Sequence, residues 1–475
     1  MHRRGQNLPD GRGDSGSDYQ AGGSVLNKSN AQTKAPDSKP RKSKGLVARS
    51  CFAIAPARLR HRLRHMLSRR GRAAPSATRH NERVLYAEAA TQAVSMAGAM
   101  SFISVFLVRL GAPNWLVGLY TALPALVLML TVLPMGSFVQ RRRSLAATAN
   151  WGRMLFRSMV ALFGLLPFLP PTIAPFVLVG AGGLMAVPGS AFNIAFTTIL
   201  GKATSPERRL GMLSMRRALN GLVAVPVGLL AGYWLDYAPY PLNYQMLFLS
   251  AFVVGLLSVC ALSQLNLAAP PQDEERRKER GGLREMLLVI KGTPAFRNYA
   301  MAAFLFRLGM SMPTALYTIY RVRTLGVSDS WIGVLLTVER LVGVVAYFAL
   351  GRLLTRRKYR RWLWLSCTGA GLYPFTMALA RTPEMLLVPA VMGGIFGAGT
   401  NLFLTNLLFR VSPEEQRPTF VAANSFLTNL AAFVAPMLGT ALADVTTIGT
   451  VLMLTGGIRA LASMAFRRLR VVADQ

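Results

Sequence analysis

The chain has 475 residues, of which 52% are hydrophobic and only 16% charged, with a mean hydropathy of +0.35; a soluble protein would carry about 25% charged residues. Its formal net charge of +34 suggests nucleic acid at first sight. The basic residues, however, sit in an N-terminal tail and in short gaps between apolar runs of about 20 residues, the length that crosses hydrocarbon, so membrane topology accounts for the charge and no nucleic-acid partner is expected. Cys51, Cys260 and Cys367 are isolated, and without a CxxC or Cys/His cluster neither a disulfide framework nor a metal site is expected.

Residues 1–84 read as a basic, disordered cytoplasmic tail, rich in Gly, Ser, Asn, Asp and Lys as far as Lys44. Ala57 to Met66 is Arg-rich with interspersed Leu. It reads as a basic amphipathic helix on an anionic membrane, or as a solvated tail or upstream extension of the start. From Thr91 onward twelve apolar segments are expected. An N-terminal six-helix bundle (85–267) holds segments near 90–109, 115–138, 147–169, 172–200, 212–235 and 243–265. A charged cytoplasmic linker (268–298) follows. A C-terminal six-helix bundle (299–468) holds segments near 299–320, 331–354, 362–380, 384–409, 418–442 and 447–466, and residues 469–475 form a short tail. The expected class is an all-α integral membrane protein of two pseudo-symmetric bundles.

Loop charge orients the segments. Arg141–Arg143, Lys202, Arg208–Arg209, the basic cluster at 275–280, Arg356–Arg361 and Arg467–Arg470 fall on one side. The opposite loops hold almost no Lys or Arg, the exceptions being Arg109, Arg321, Arg323 and Arg381. Both termini are therefore expected in the cytoplasm, the chain being multi-pass in the plasma or inner membrane.

Two stretches repeat. Gly136–Arg143 (GSFVQRRR) closes the second segment and Gly351–Lys358 (GRLLTRRK) closes the eighth, an offset of 215 residues (351 − 136). At the same offset Leu110-Gly111 falls on Leu325-Gly326, and Gly118 on Gly333. Further along, Ser205-Pro206-Glu207 matches Ser412-Pro413-Glu414 at an offset of 207, and Gly232 lands on Gly439. The fourth helix of each half carries an Asn and a Thr four residues apart, Asn193 with Thr197 and Asn401 with Thr405, so each pair shares one helix face.

Six plus six helices, a charged central loop and a Gly-x-x-x-x-Arg loop after helices two and eight resemble the major facilitator superfamily over about residues 85 to 468. That resemblance implies a secondary transporter, with two bundles rocking about a midplane site by alternating access and helices one, four, seven and ten lining the cavity. It makes Gly136, Gln140, Arg141, Gly351, Thr355 and Arg356 gating-loop residues. Gln140 and Thr355 stand where the superfamily's loop usually has Asp, which implies a weaker cytoplasmic latch.

Ionisable groups at membrane depth are expensive and mark function or pairing. Arg307 is expected mid-span in the seventh segment, and Glu339 and Arg340 mid-span in the eighth. Glu88 is expected near the cytoplasmic entry of the first segment, and Arg153, Arg157, Arg216 and Arg217 as residues that snorkel to headgroups. The 215 offset sets Arg307 against Gln92. Either Glu339 pairs with Arg307 or Arg340 and stitches two helices together, or an Arg meets a polar or anionic substrate while Glu339 exchanges a proton. Asn193, Thr197, Asn401 and Thr405 either bond between helices or touch substrate. The expected partners are a small-molecule substrate, the bilayer and, where Glu339 titrates, protons; no cofactor is expected, and the chain is expected to act as a monomer.

Two other functions compete. A lipid-acting membrane enzyme needs a convergent nucleophile–base or metal set, but all four His precede residue 81. An adaptor would rely on the basic tail. An ATP-driven pump is disfavoured because no Gly-rich stretch leads into Gly-Lys-Ser/Thr.

Overall fold

The computed structural model describes residues 76–142, 144–204, 206–265, 292–353, 359–413 and 417–468. The tail through residue 75, most of the linker, Thr355 and Arg356 lie outside them; so does the side chain of Gln140, and Gln140 and Gly351 are described only as helical backbone.

The described chain is helical. The N-terminal half runs α1 (Ser76–Ser95), α2 (Ser101–Arg109), α3 (Asn114–Gln140), α4 (Leu145–Leu162), α5 (Ala174–Ala203), α6 (Pro206–Tyr237) and α7 (Leu242–Ser263). The C-terminal half runs α8 (Pro294–Ser311), α9 (Thr314–Ile319), α10 (Asp329–Leu353), α11 (Tyr359–Leu379), α12 (Leu387–Val411), α13 (Arg417–Val445) and α14 (Ile448–Arg468). Among the described residues nine helices are long and apolar enough to cross a membrane. The helices at the expected third, seventh and ninth segments are outside that set. Arg153 and Arg157 interrupt α4, Arg307 and a break interrupt α8, and Arg360-Arg361 open α11.

Packing follows the same plan in both halves. In the first, α1 lies against α6 and α7, α4 against α5 and α7, and α3 against α5. In the second, α8 lies against α13 and α14, α11 against α12 and α14, and α10 against α12. The halves meet where α3 packs along α13 and α6 along α10. We call the end bearing Arg141, Arg208 and Arg467 the basic end.

Helix α1 starts at Ser76, well before the expected segment start near 90. Residues 76–89 are too polar to register as an apolar run, yet polar groups among them are paired: Glu82 with Arg208 (2.9 Å) and His80 Nε2 with the Gln264 carbonyl (2.9 Å). The Glu82 hydrogen bonds hold the Arg208 guanidinium above its ordinary pKa.

The two Leu-Gly turns both need glycine, with φ of 81° at Gly111 and 59° at Gly326. The first helix of each half is also discontinuous. A π-helical turn, Met96–Met100, separates α1 from α2, and Pro313 separates α8 from α9. Arg459 of α14, 2% exposed, answers the second break. It donates to the Gly309 (2.9 Å), Met310 (3.5 Å) and Ala370 (2.7 Å) carbonyls and to the Tyr317 hydroxyl (3.0 Å). Gly309 and Met310 are among the carbonyls that the end of α8 leaves without an intrahelical partner.

Glycine also sets the approach of the halves. A methyl group on Gly232 (α6) would sit 2.5 Å from the Asp329 carbonyl, and one on Gly333 (α10) 2.7 Å from the Gly228 carbonyl. Gly232→Ala should raise helix propensity by about 0.5–1 kcal/mol, yet here the clash wins. The expected result is faster alkylation of a cysteine placed at Ser330, as α6 and α10 part at this end. Unchanged alkylation would mean the close approach is not needed.

Candidate functional site

The interior of the first half is organised around Glu88 of α1, whose side chain is fully buried. Arg153 of α4 meets one carboxylate oxygen at 2.6 Å, and Arg216 of α6 meets the other at 2.7 Å. Arg153 also donates to Ser258 of α7 (3.1 Å) and lies over the Phe192 ring at 4.0 Å, while Arg216 lies over Phe196 at 4.6 Å. One turn along α1, Gln92 accepts from Arg157 at 2.6 Å. Arg157 is 2% exposed, packed against Gly255 of α7.

These positions correct three expectations. Glu88 is interior, not an entry residue; Arg153 and Arg157 are buried rather than snorkelling; and Arg216 bonds inward. The reason is mutual. One carboxylate shared by two guanidinium groups lets all three leave water, whereas each alone would have to reach it. The sequence signal was a matched pair of polar faces, Glu88/Gln92/Ser95 on α1 and Arg153/Arg157 on α4, spaced by three or four residues.

In the second half Glu339 of α10 is half-buried, and among the described residues neither Arg307 nor Arg340 forms an ion pair with it. The expected stitch between helices seven and eight is therefore not made. Arg340 instead crosses the interface, donating to Ser101 (2.9 Å) and to the Ala224 carbonyl (3.3 Å), beside the π-helical turn. The Glu339 carboxylate and the Tyr373 ring flank the same spot on α12, 3.2 Å and 2.9 Å from where a Cβ on Gly393 would lie. Tyr373 accepts from Arg321 (2.8 Å) and stacks edge-on against Tyr317. Arg307 is half-buried on α8, outside these bonded pairs.

Asn193, Thr197, Asn401 and Thr405 are all exposed. Each Thr hydroxyl donates to its own helix, Thr197 to Asn193 and Thr405 to Asn401. Only Asn401 reaches another helix, donating to the Tyr347 hydroxyl of α10 at 3.0 Å.

The end opposite the basic end is sealed between the halves. Arg109 forks onto Asp329 (2.9 and 3.2 Å) and donates to the Val327 carbonyl (3.3 Å). The Tyr244 hydroxyl donates to the other Asp329 oxygen (3.2 Å). Asp236 at the end of α6 accepts from the backbone N–H groups of Asp329 (2.9 Å) and Ser330 (2.8 Å), capping α10 from the other half. Arg323 donates to Asn114 (2.8 Å) and to the Ala112 carbonyl, and Asn114 donates to Asp444 (2.7 Å). Arg109, Arg321 and Arg323, three of the four exceptions to the charge pattern, are thus engaged in bonds at or near this end. Hydrogen bonds joining the halves among the described residues run from Arg340 outward to this seal.

Comparison with known proteins agrees with this architecture. No curated protein sequence matches the chain. A bacterial homologue of the iron transporter ferroportin in an inward-facing state aligns with a TM-score of 0.65 at 16% identity, covering 83% of this chain and 99% of that one. A point mutant of the nucleoside transporter NupG aligns at 0.64 and 11% identity, covering 82% and 100%. A bacterial homologue of the human lysosomal transporter Spinster, inward-facing and occupied, aligns at 0.62 and 12% identity, covering 84% and 97%. At these identities the likeness is one of fold. The family model of the Major Facilitator Superfamily matches residues 89–385 and 299–474, and with the all-helical two-half fold this makes the chain a multi-pass membrane protein that belongs to the major facilitator superfamily of secondary transporters.

Proposed function

We propose that the protein carries a small anionic or carbonyl-bearing molecule by alternating access, with Glu339 as the group that exchanges a proton. The observation that carries this reading is the charge of the interior. Among the described residues Arg153, Arg157, Arg216, Arg307, Arg340 and Arg459 stand within the helices, with Glu88 and Glu339 among the carboxylates at that depth. Glu88 is already engaged twice, so a cationic surplus remains at a depth where charge without a partner is costly. An anionic substrate group would answer it. Glu339, unlike Glu88, has no guanidinium within ion-pair distance among the described residues, which leaves it free to take a proton.

Among the described residues the hydrogen bonds between the halves gather at one end, the arrangement that one state of an alternating-access cycle requires. With the basic end in the cytoplasm, as the charge rule implies, the state is inward-facing, the state named for two of the structural relatives. Gly136, inside the last turns of α3 rather than in a loop, and Arg141, just past its end, then belong to a cytoplasmic gating segment. The exposed Asn193, Thr197, Asn401 and Thr405 face water rather than lipid, since amide groups in hydrocarbon would lack partners.

A thermal-shift screen of carboxylates and phosphorylated metabolites would give the substrate, and labelled uptake into proteoliposomes would test the coupling. Glu339→Gln is expected to abolish uptake driven by a pH gradient while leaving counterflow exchange, which needs no net proton movement. Gradient-driven uptake at the wild-type rate would exclude Glu339 as the coupling group.

A further inference from the structure

A cleft that none of these roles uses lies outside the bundle interior, at the basic end between the close of α3 and the start of α4. It encloses about 560 Å³, within the range of small-ligand sites. Arg141 and Arg142 form its cationic side, both exposed and, among the described residues, without an acidic partner within ion-pair distance. Phe138 and Trp151 form its aromatic side, their ring centroids 6.4 Å apart, and Arg142 lies over the Phe138 ring at 4.3 Å. Among the described residues no acidic side chain lines it.

What lies beyond the cleft identifies its occupant. Trp151 (55% exposed) begins an apolar stripe on the outer surface of α4 that continues through Met154, Leu155 and Leu162. Spacings of three, four and eleven residues put all four on one helix face, and in a membrane protein such an exposed face contacts lipid tails. The same surface therefore runs from acyl-chain contact, through a Trp at the level where aromatic belts form, to a pair of arginines. A soluble anion would use only the arginines. A phospholipid matches the whole path, and an anionic one matches the charge, because juxtamembrane arginines are drawn to anionic leaflets.

We propose that this cleft binds the headgroup of an anionic phospholipid, its phosphate held by Arg141 and Arg142 and its chains running along Trp151, Met154, Leu155 and Leu162. The lipid would sit against the loop between α3 and α4 and tie that loop to the bilayer.

The test uses the full chain in nanodiscs of phosphatidylcholine containing either brominated phosphatidylglycerol or brominated phosphatidylcholine. Bromine quenches nearby tryptophan, and the difference between wild type and Trp151→Phe isolates the Trp151 signal. The expected result is several-fold stronger quenching by the brominated phosphatidylglycerol. That preference should vanish in the Arg141→Gln/Arg142→Gln double variant, and also in Ala147→Phe, which keeps both arginines and fills the cleft. Equal quenching by the two lipids, or a preference that survives both variants, would overturn the proposal. So would displacement of the brominated lipid by inorganic phosphate, which would make this a free-phosphate site.

Discussion

Arg109→Ala should open the end of the transporter that the structure shows closed. Asp329 is 5% exposed at its side chain, and Arg109 supplies two of the N–H groups that hold it. Breaking a fully buried pair by removing one member costs about 3–5 kcal/mol. Arg109 is 37% exposed, however, so water can replace part of what it gives, and the expected loss falls to roughly 1–2 kcal/mol. On the proposed alternating-access reading the seal exists in only one state of the cycle, so that loss should move the balance between states by about five- to thirty-fold. Spin labels at the exposed Tyr240 and Val445, on opposite halves, would report it as growth of the longer distance. Asp329→Asn should shift the balance less, since Asp236 caps the backbone of α10 whatever side chain residue 329 carries. A distance distribution in Arg109→Ala indistinguishable from wild type would mean that the packing of α3 on α13 and α6 on α10 closes this end without the ion pair.

The helices of the fold were readable because a span of hydrocarbon length is written locally, as an unbroken apolar run such as Leu242–Ser263. The turns were readable for a similar reason: Gly111 and Gly326 mark backbone that other residues rarely adopt. The site was less legible, because hydropathy scores residues one at a time. Glu88 stands in a polar stretch that looks like the approach to a membrane. What makes it interior is Arg153 and Arg216, 65 and 128 residues further on, arriving on other helices. No local window contains that pairing.

Charge exceptions carried more than they were credited with. Arg109 and Arg323 broke the loop pattern because their partners, Asp329 and Asn114, belong to the other half and neutralise or solvate them at the seal. Glu339 and Arg340 are neighbours in sequence, which made pairing attractive. On a helix, successive residues point about 100° apart, and only those three or four apart face each other. So Arg340 turns to α6 while Glu339 turns to α12. Gln92 was singled out for a comparison with Arg307; its bond is to Arg157.

The largest stability effect is expected at Glu88. The cluster holds one carboxylate and two guanidinium groups, so the direction of each change follows from what is left. Arg216→Gln leaves Glu88 paired with Arg153, a balanced couple, and should cost little in melting temperature. Glu88→Gln leaves Arg153, 3% exposed, beside Arg216 with no counter-charge, a loss of about 3–5 kcal/mol. Arg216, at 22% side-chain exposure, can turn toward water, but Arg153 is held between Phe192, Ser258 and Glu88 and cannot. Removing Arg153 as well should therefore recover stability, and the Glu88→Gln/Arg153→Met double variant is expected to melt above Glu88→Gln alone. A pairwise coupling of this sign is what a shared buried charge produces and what simple loss of packing does not. Melting curves of the purified single and double variants decide the matter. Equal destabilisation by Glu88→Gln and Arg216→Gln, or additive losses in the double variant, would mean that the buried network does not depend on its one carboxylate.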